Sequence, residues 1–265
     1  MIKMTILITG TSAGIGFTLA EYLGKKGHTV FGLSRKNIDS PYFTTIPTDI
    51  TNNTQVQNAI AKVLSTEKRI DVLINNAGMG MVGAVEDSLQ EEILQLFNLN
   101  LVGSVQMMSA VLPKMREQKM GKIINISSIG SEMGLPFRGF YSASKSALDK
   151  VTEAIRYEVS PWNIQVCALH LGDIKTNIAD NRVKTKVSEP YQSTFNQVYS
   201  LMNTHVQDGT EPLEVAEYLE KLLAKKSWKA HFYFGKFGQR IGVPLKWILP
   251  QNFYESLMKK YNKLD

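Results

Sequence analysis

Tyr141 and Lys145 stand four residues apart in Phe140-Tyr141-Ser142-Ala143-Ser144-Lys145, a stretch with nothing to break a helix. On a helix that spacing puts the phenol and the ammonium on one face. A phenol titrates near ~10, so proton exchange at neutral pH needs its anion stabilised by roughly 4 kcal/mol, about three pKa units. A nearby cation has the right sign of charge to do this. The same spacing also fits an ordinary packing pair, so the chemistry depends on what surrounds it.

Apolar runs bounded by turn residues alternate with helical patterns as far as about residue 235. Strands are predicted at Met4-Thr9, Thr29-Ser34, Asp71-Asn75, Lys122-Ser127, Ile164-His170 and His231-Phe234. Helices are predicted near 14–26, 54–66, 89–117, 141–159 and 212–225. Several strands are almost continuously apolar, as in a parallel sheet covered on both faces. The pattern predicts one α/β domain over residues 1–235, a doubly wound Rossmann-type parallel sheet with helices on both faces.

The first strand runs into Thr9-Gly10-Thr11-Ser12-Ala13-Gly14-Ile15-Gly16 and then a helix. Glycines at a strand-to-helix junction let a pyrophosphate approach free N–H groups at the positive end of the helix dipole. Gly10-Thr11-Ser12-Ala13-Gly14 also matches the G-x-S-x-G nucleophile elbow, so Ser12 could mark a serine hydrolase. Only nine residues precede Gly10, too few for the earlier loop that completes such an oxyanion hole. The second strand ends at Ser34-Arg35-Lys36, with cations where an NAD-binding fold carries an acid. Arg35 therefore points to the 2′-phosphate of NADP.

Together, Thr9-Gly10-x3-Gly14-Ile15-Gly16, Asn75-Asn76-Ala77-Gly78, Asn100, Ser128 and Tyr141-x3-Lys145 resemble the short-chain dehydrogenase/reductase family over residues 4–225. Ser128 stands 13 residues and Asn100 41 residues before Tyr141, and this ordered spacing is the specific part. The resemblance implies that Tyr141 is the general acid or base and that Lys145 lowers its pKa and holds the nicotinamide ribose. It implies that Ser128 hydrogen-bonds the substrate oxygen and that Asn100 anchors a water extending the proton path. It also implies a cofactor cleft formed by Gly10, Ser12, Gly14, Ile15, Gly16, Arg35, Asp49, Ile50, Asn76, Gly78, Tyr141, Lys145, Ile174 and Thr176. Ser128 also fits a turn cap, and Asn100 fits a residue satisfying backbone groups in a kinked helix. Where the family usually has Pro-Gly after the sixth strand, this chain has Leu171-Gly172.

The family places a substrate lid at about 177–208, where Tyr191, Phe195, Tyr199 and Met202 share a helical face. Met133, Leu135 and Phe137 follow Ser128, while Met79 and Met81 follow Asn76. These residues fit a pocket for a largely apolar carbonyl or alcohol, as in a carbonyl reductase, and they fit ordinary core as well. Residues 236–265 carry Phe253, Leu257, Tyr261 and Leu264 at helical spacing among lysines. This amphipathic extension could pack on its own domain, on a partner in a homodimer or homotetramer, or on a membrane surface.

The single cysteine, Cys167, excludes an internal disulfide, and His28, His170, His205 and His231 show no metal-ligand spacing, so no metal is expected. No apolar run approaches the roughly 18 residues of a membrane span, and the expectation is a cytoplasmic protein. The net charge of +6 comes without a dense basic stripe, which argues against nucleic acid. An oxidoreductase using NADP(H) fits these features best; an NADP-sensing protein without catalysis and the Ser12 hydrolase remain as alternatives.

Overall fold

The computed structural model describes residues 3–176 and 182–264. The first strand, β1 (Thr5–Thr9), is buried along its whole length. Its side chains alternate between two cores: Ile6 and Ile8 face one side of the sheet and Leu7 the other. A strand covered on both faces has no polar side to show, which explains the unbroken apolar run.

Seven parallel strands form the sheet, in the order β3-β2-β1-β4-β6-β7-β9. They are β2 (Thr29–Ser34), β3 (Thr44–Pro47), β4 (Val72–Asn75), β6 (Gly121–Ser128), β7 (Ile164–Leu171) and β9 (His231–Phe234) around β1. The predicted Rossmann-type architecture is therefore present. The edge strand β3 escaped the sequence because it is four residues long, ends in Pro47 and buries only Ile46. Leu171, where the family usually has proline, simply extends β7 and pairs with Ser128 and Phe234.

On one face, α1 (Gly14–Lys25) and α7 (Pro212–Leu223) bury Leu19, Leu23, Val215 and Leu219. On the other, α2 (Asn53–Glu67) and α4 (Ser104–Gln118) bury Val56, Ile60, Met107 and Val111. Each such side chain contributes ~1.5–3 kcal/mol by leaving water. The predicted helix near 89–117 is three pieces in one rod: α3 (Gln90–Phe97), a π-helical segment Asn98–Gly103, and α4. This rod, 29 residues long, has the length and apolarity of a membrane span, with an 18-residue window of mean hydropathy 1.2, although polar residues interrupt its apolar run. Leu96, Met107, Val111 and Met115 are fully buried, which makes it a core helix of the sheet.

A two-stranded ribbon, β5 (Met81–Val82) with β8 (Val183–Lys184), precedes α6 (Glu189–Gln207). The first part of the expected lid, 177–181, lies outside the described residues. After β9 the chain forms α8 (Phe237–Ile248) and α9 (Gln251–Tyr261).

Candidate active site

The carboxyl ends of β1, β4, β6 and β7 bring the candidate residues together, as expected for the ligand crevice of an open α/β sheet. At the end of β1, Gly10 and Gly14 have left-handed φ values of +73° and +56°. A side chain at Gly16 would overlap the Gly10 carbonyl oxygen and Asn76 Nδ2. The turn is locked to the β4 end by Thr9, whose Oγ1 accepts the N–H groups of Asn76 (3.0 Å) and Ala77 (2.9 Å). Asn76 Nδ2 in turn donates to the Thr9 carbonyl oxygen at 2.9 Å. Asn76 thus braces the glycine turn through its side chain. The exposed Ser12 has no hydrogen bond to a histidine or carboxylate among the described residues.

The local chemistry of this turn suits a pyrophosphate. Ala13, the N-cap of α1, offers no side-chain cap to the first-turn N–H groups. Thr11 Oγ1 is buried without a partner among the described residues. Thr176 closes over the turn, with its methyl 3.4 Å from the point a Gly14 Cβ would occupy. Ile174, buried, pairs by an isolated bridge with Thr210 and sets that approach.

At the end of β2, Ser34 spends its hydroxyl on the Lys36 carbonyl oxygen at 2.7 Å, leaving Arg35 and Lys36 exposed. Asp49 is nearby. Burial pushes its pKa up, but two bonds from Thr51 and the charge of Arg35 outweigh this and hold it below the usual value. The Ile50 side chain packs against Gly103, where a Cβ would come within 2.8 Å of it. No larger residue fits at that point of the π-helical segment.

Asn100 sits in the same π-helical segment, fully buried. Its Oδ1 accepts the Met79 N–H at 2.8 Å, and its Nδ2 donates to the Met79 carbonyl oxygen and Ser144 Oγ, both at 3.0 Å. The extra residue of a π-turn rotates Asn100 toward the β4 loop. Both Asn100 Oδ1 and Lys145 Nζ approach Gly78, 3.1 and 3.4 Å from where its Cβ would stand. The backbone-satisfying and site-lining readings of Asn100 are therefore combined in one residue.

Ser128 ends β6, and its Oγ accepts the Gly130 N–H at 3.0 Å, a turn cap. It also lies close enough to the Tyr141 hydroxyl to act on that phenol's pKa, downward. Tyr141 and Lys145 lie on α5 (Gly139–Glu158) as predicted. Burial raises the Tyr141 pKa, against which Ser128, Arg138 and Arg182 act in the opposite direction. The Lys145 ammonium, expected to lower it, is engaged with the backbone of β6. Lys145 Nζ donates to the Ile126 carbonyl oxygen at 2.8 Å, and burial brings its own pKa down to about 8, with Asp149 acting upward.

Several site residues were not anticipated. Arg138, the N-cap of α5, and Arg182, bonded to Asn203 at 3.0 Å, supply positive charge around Tyr141, which Asp173 opposes. His170 lies behind Ser128: its Nδ1 is 3.2 Å from the Ser128 carbonyl oxygen and 3.1 Å from Ser131 Oγ. Its Nε2 meets His231 Nδ1 at 2.9 Å, and His231 Nε2 reaches Glu153 at 3.0 Å. Two histidines 61 residues apart are thus neighbours, and with Glu132 they offer potential metal ligands within 4.8 Å of one another. Their nitrogens are engaged in this hydrogen-bonded chain. A histidine in the apolar β7 run was the one visible signal.

The lid aromatics are mostly core. Phe195 and Met202 are buried with Val82, and Phe195 packs against Phe137 (5.4 Å) and Tyr199 (5.5 Å). Tyr191 donates to Glu86 at 3.0 Å at the surface.

Residues 4–187 match the family described as short chain dehydrogenase. The chain is 39% identical over 260 residues to the 3-ketodihydrosphingosine reductase of Bacteroides thetaiotaomicron, covering 96% of each. A solved short-chain dehydrogenase from Streptomyces avermitilis matches with a TM-score of 0.85 and 26% identity, covering 99% of this chain and 97% of that one. Another, from Burkholderia cenocepacia in complex with NADP, matches with a TM-score of 0.76 and 26% identity, covering 97% of each.

Proposed function

This chain belongs to the short-chain dehydrogenase family, an oxidoreductase family, and we propose that it reduces the carbonyl of a largely apolar substrate with NADPH. The observation that carries the reading is the convergence at the β6 end of Ser128, the Tyr141 phenol it acts on and Lys145, bonded to the Ile126 carbonyl oxygen at 2.8 Å, together with an uncapped, glycine-rich helix start at the end of β1. The bound cofactor supplies the hydride, two electrons delivered to the carbonyl carbon. As the C=O π pair moves onto oxygen, Ser128 hydrogen-bonds that oxygen and Tyr141 gives it a proton. A phenol whose pKa burial raises stays protonated at neutral pH, which suits an acid more than a base. Lys145 and Asn100, converging near Gly78, line the route by which the proton is replaced.

Arg35 and Lys36 at the β2 end favour the 2′-phosphate of NADP, and the NADP complex of the Burkholderia relative supports this. The name of the Bacteroides relative favours a long-chain 3-oxo compound. The test is NADPH consumption against short ketones, long-chain 3-oxo compounds and steroid-like ketones. Consumption strongest with the long-chain members is expected; none with any of them would overturn the reading.

A further inference from the structure

The two helices after β9 are amphipathic in the wrong sense for a chain surrounded only by water. Among the described residues, seven of the sixteen exposed large apolar side chains fall after residue 236. On α8, Phe237, Ile241 and Ile248 share one stripe with Trp247 beside it, and Trp247 and Ile248 are each 75% exposed. On α9, Phe253 and Leu257 continue the outward apolar surface. Other side chains of the two helices are spent on the protein. Val243 and Tyr254 are buried, Lys246 donates to the Glu132 carbonyl oxygen, and Tyr254 reaches the Met133 sulfur at 3.4 Å. Gln239 accepts the Asp173 N–H at 3.3 Å and donates to its carboxylate. The helices are thus held in place by these contacts, while the apolar stripe stays exposed, with the Lys246 ammonium 5.4 Å from the Trp247 ring centroid.

Charge indicates what covers it. Residues 236–265 hold six Lys and Arg against two acids, which accounts for four of the six net positive charges of the chain. A second copy meeting this surface would face the same excess. A bilayer with anionic head groups instead accepts apolar side chains in its interior and cations at its surface, with aromatic rings such as Trp247 at the boundary.

We propose that the outward face of α8 and α9 docks this protein on an anionic lipid surface. Glu132, Met133 and Asp173, which anchor these helices, follow the ends of β6 and β7 beside Ser128. Docking therefore brings the mouth of the site to the bilayer, where a long-chain carbonyl would be dissolved. That last step rests on the oxidoreductase reading above; the docking itself does not.

The experiment is co-sedimentation of the full chain, without cofactor, with vesicles of phosphatidylglycerol and phosphatidylcholine and with phosphatidylcholine alone. Binding to the anionic vesicles at least about tenfold tighter than to the neutral ones is expected, lost at high salt. Trp247→Ser with Ile248→Ser, and separately Lys259→Glu with Lys260→Glu, should each weaken binding about tenfold or more with an unchanged thermal midpoint, because all four side chains are exposed. Wild-type protein that stays in the supernatant, or variants that bind like wild type, would overturn the proposal. So would a dimer that the Trp247→Ser, Ile248→Ser variant dissociates without any vesicle binding, which would assign the face to a second copy. Vesicle binding without NADPH consumption would retain the docking and remove only the enzymatic reading.

Discussion

Lys145 donates its ammonium to the carbonyl oxygen of Ile126 at 2.8 Å, so the cation four residues beyond Tyr141 is tied to strand β6 rather than to the phenol. The charges that act on Tyr141 are Arg138 and Arg182, which lower its pKa, and Asp173, which raises it, with Ser128 acting downward as well. Under the proposed mechanism, proton transfer and charge placement are divided between different side chains.

Removing the proposed proton donor tests the first of these. Tyr141→Phe keeps the ring and its burial and should lower turnover about 10²–10⁴-fold with NADPH binding nearly unchanged. Steady-state kinetics with a cofactor titration read both; retained turnover assigns the proton to another group.

Lys145 has a folded-state pKa of about 8 against an ordinary 10.5, with burial as the main cause. Between those values the unfolded chain holds a proton that the native chain has released, so this residue makes stability rise with pH across that window. Below it, the buried ammonium costs stability. Lys145→Met should therefore stabilise the protein at neutral pH by roughly 1–3 kcal/mol while impairing turnover. Urea unfolding at neutral pH and near pH ~10 checks this, since the gain should shrink at the higher pH.

Arg35 stands exposed at the end of β2 with no carboxylate in the position that would hold a ribose 2′-hydroxyl. Arg35→Ala should weaken NADPH about tenfold or more and leave NADH nearly unaffected. Calorimetric titration of both nucleotides decides it, and equal losses would argue against a 2′-phosphate contact.

A methyl group at Gly16 would overlap the Gly10 carbonyl oxygen and Asn76 Nδ2. Gly16→Ala should cost about 1–3 kcal/mol of stability by thermal unfolding and abolish tight cofactor binding. A neutral effect would mean that the turn yields more readily than its packing implies.

The Asn100 side chain makes three hydrogen bonds, two of them to the Met79 backbone. Asn100→Ala strands those groups and should destabilise the fold by about 2 kcal/mol. It should also slow turnover when assayed well below the new thermal midpoint.

Much of this was legible in the chain because it depends on local order. Six of the strands, the glycine turn after β1 and the helix bearing Tyr141 and Lys145 follow from periodicity, from residues that permit tight turns and from spacing along one helix. What stayed hidden depends on groups distant in sequence. His170 and His231 meet only because β7 and β9 pair in register, and Arg182 reaches Tyr141 only through the chain beyond β7. The π-turn that aims Asn100 has no signature of its own and is accommodated where Gly103 admits Ile50. The tail's helical spacing showed that it had an apolar face, but periodicity says which residues share a face and not which way that face turns. That was decided by Val243, Lys246 and Tyr254 docking inward, which left Trp247 and Ile248 pointing out. In the same way, the sequence alone determined that Tyr141 and Lys145 share a face, whereas the burial of that face and the Ile126 carbonyl oxygen decided which neighbour the ammonium keeps.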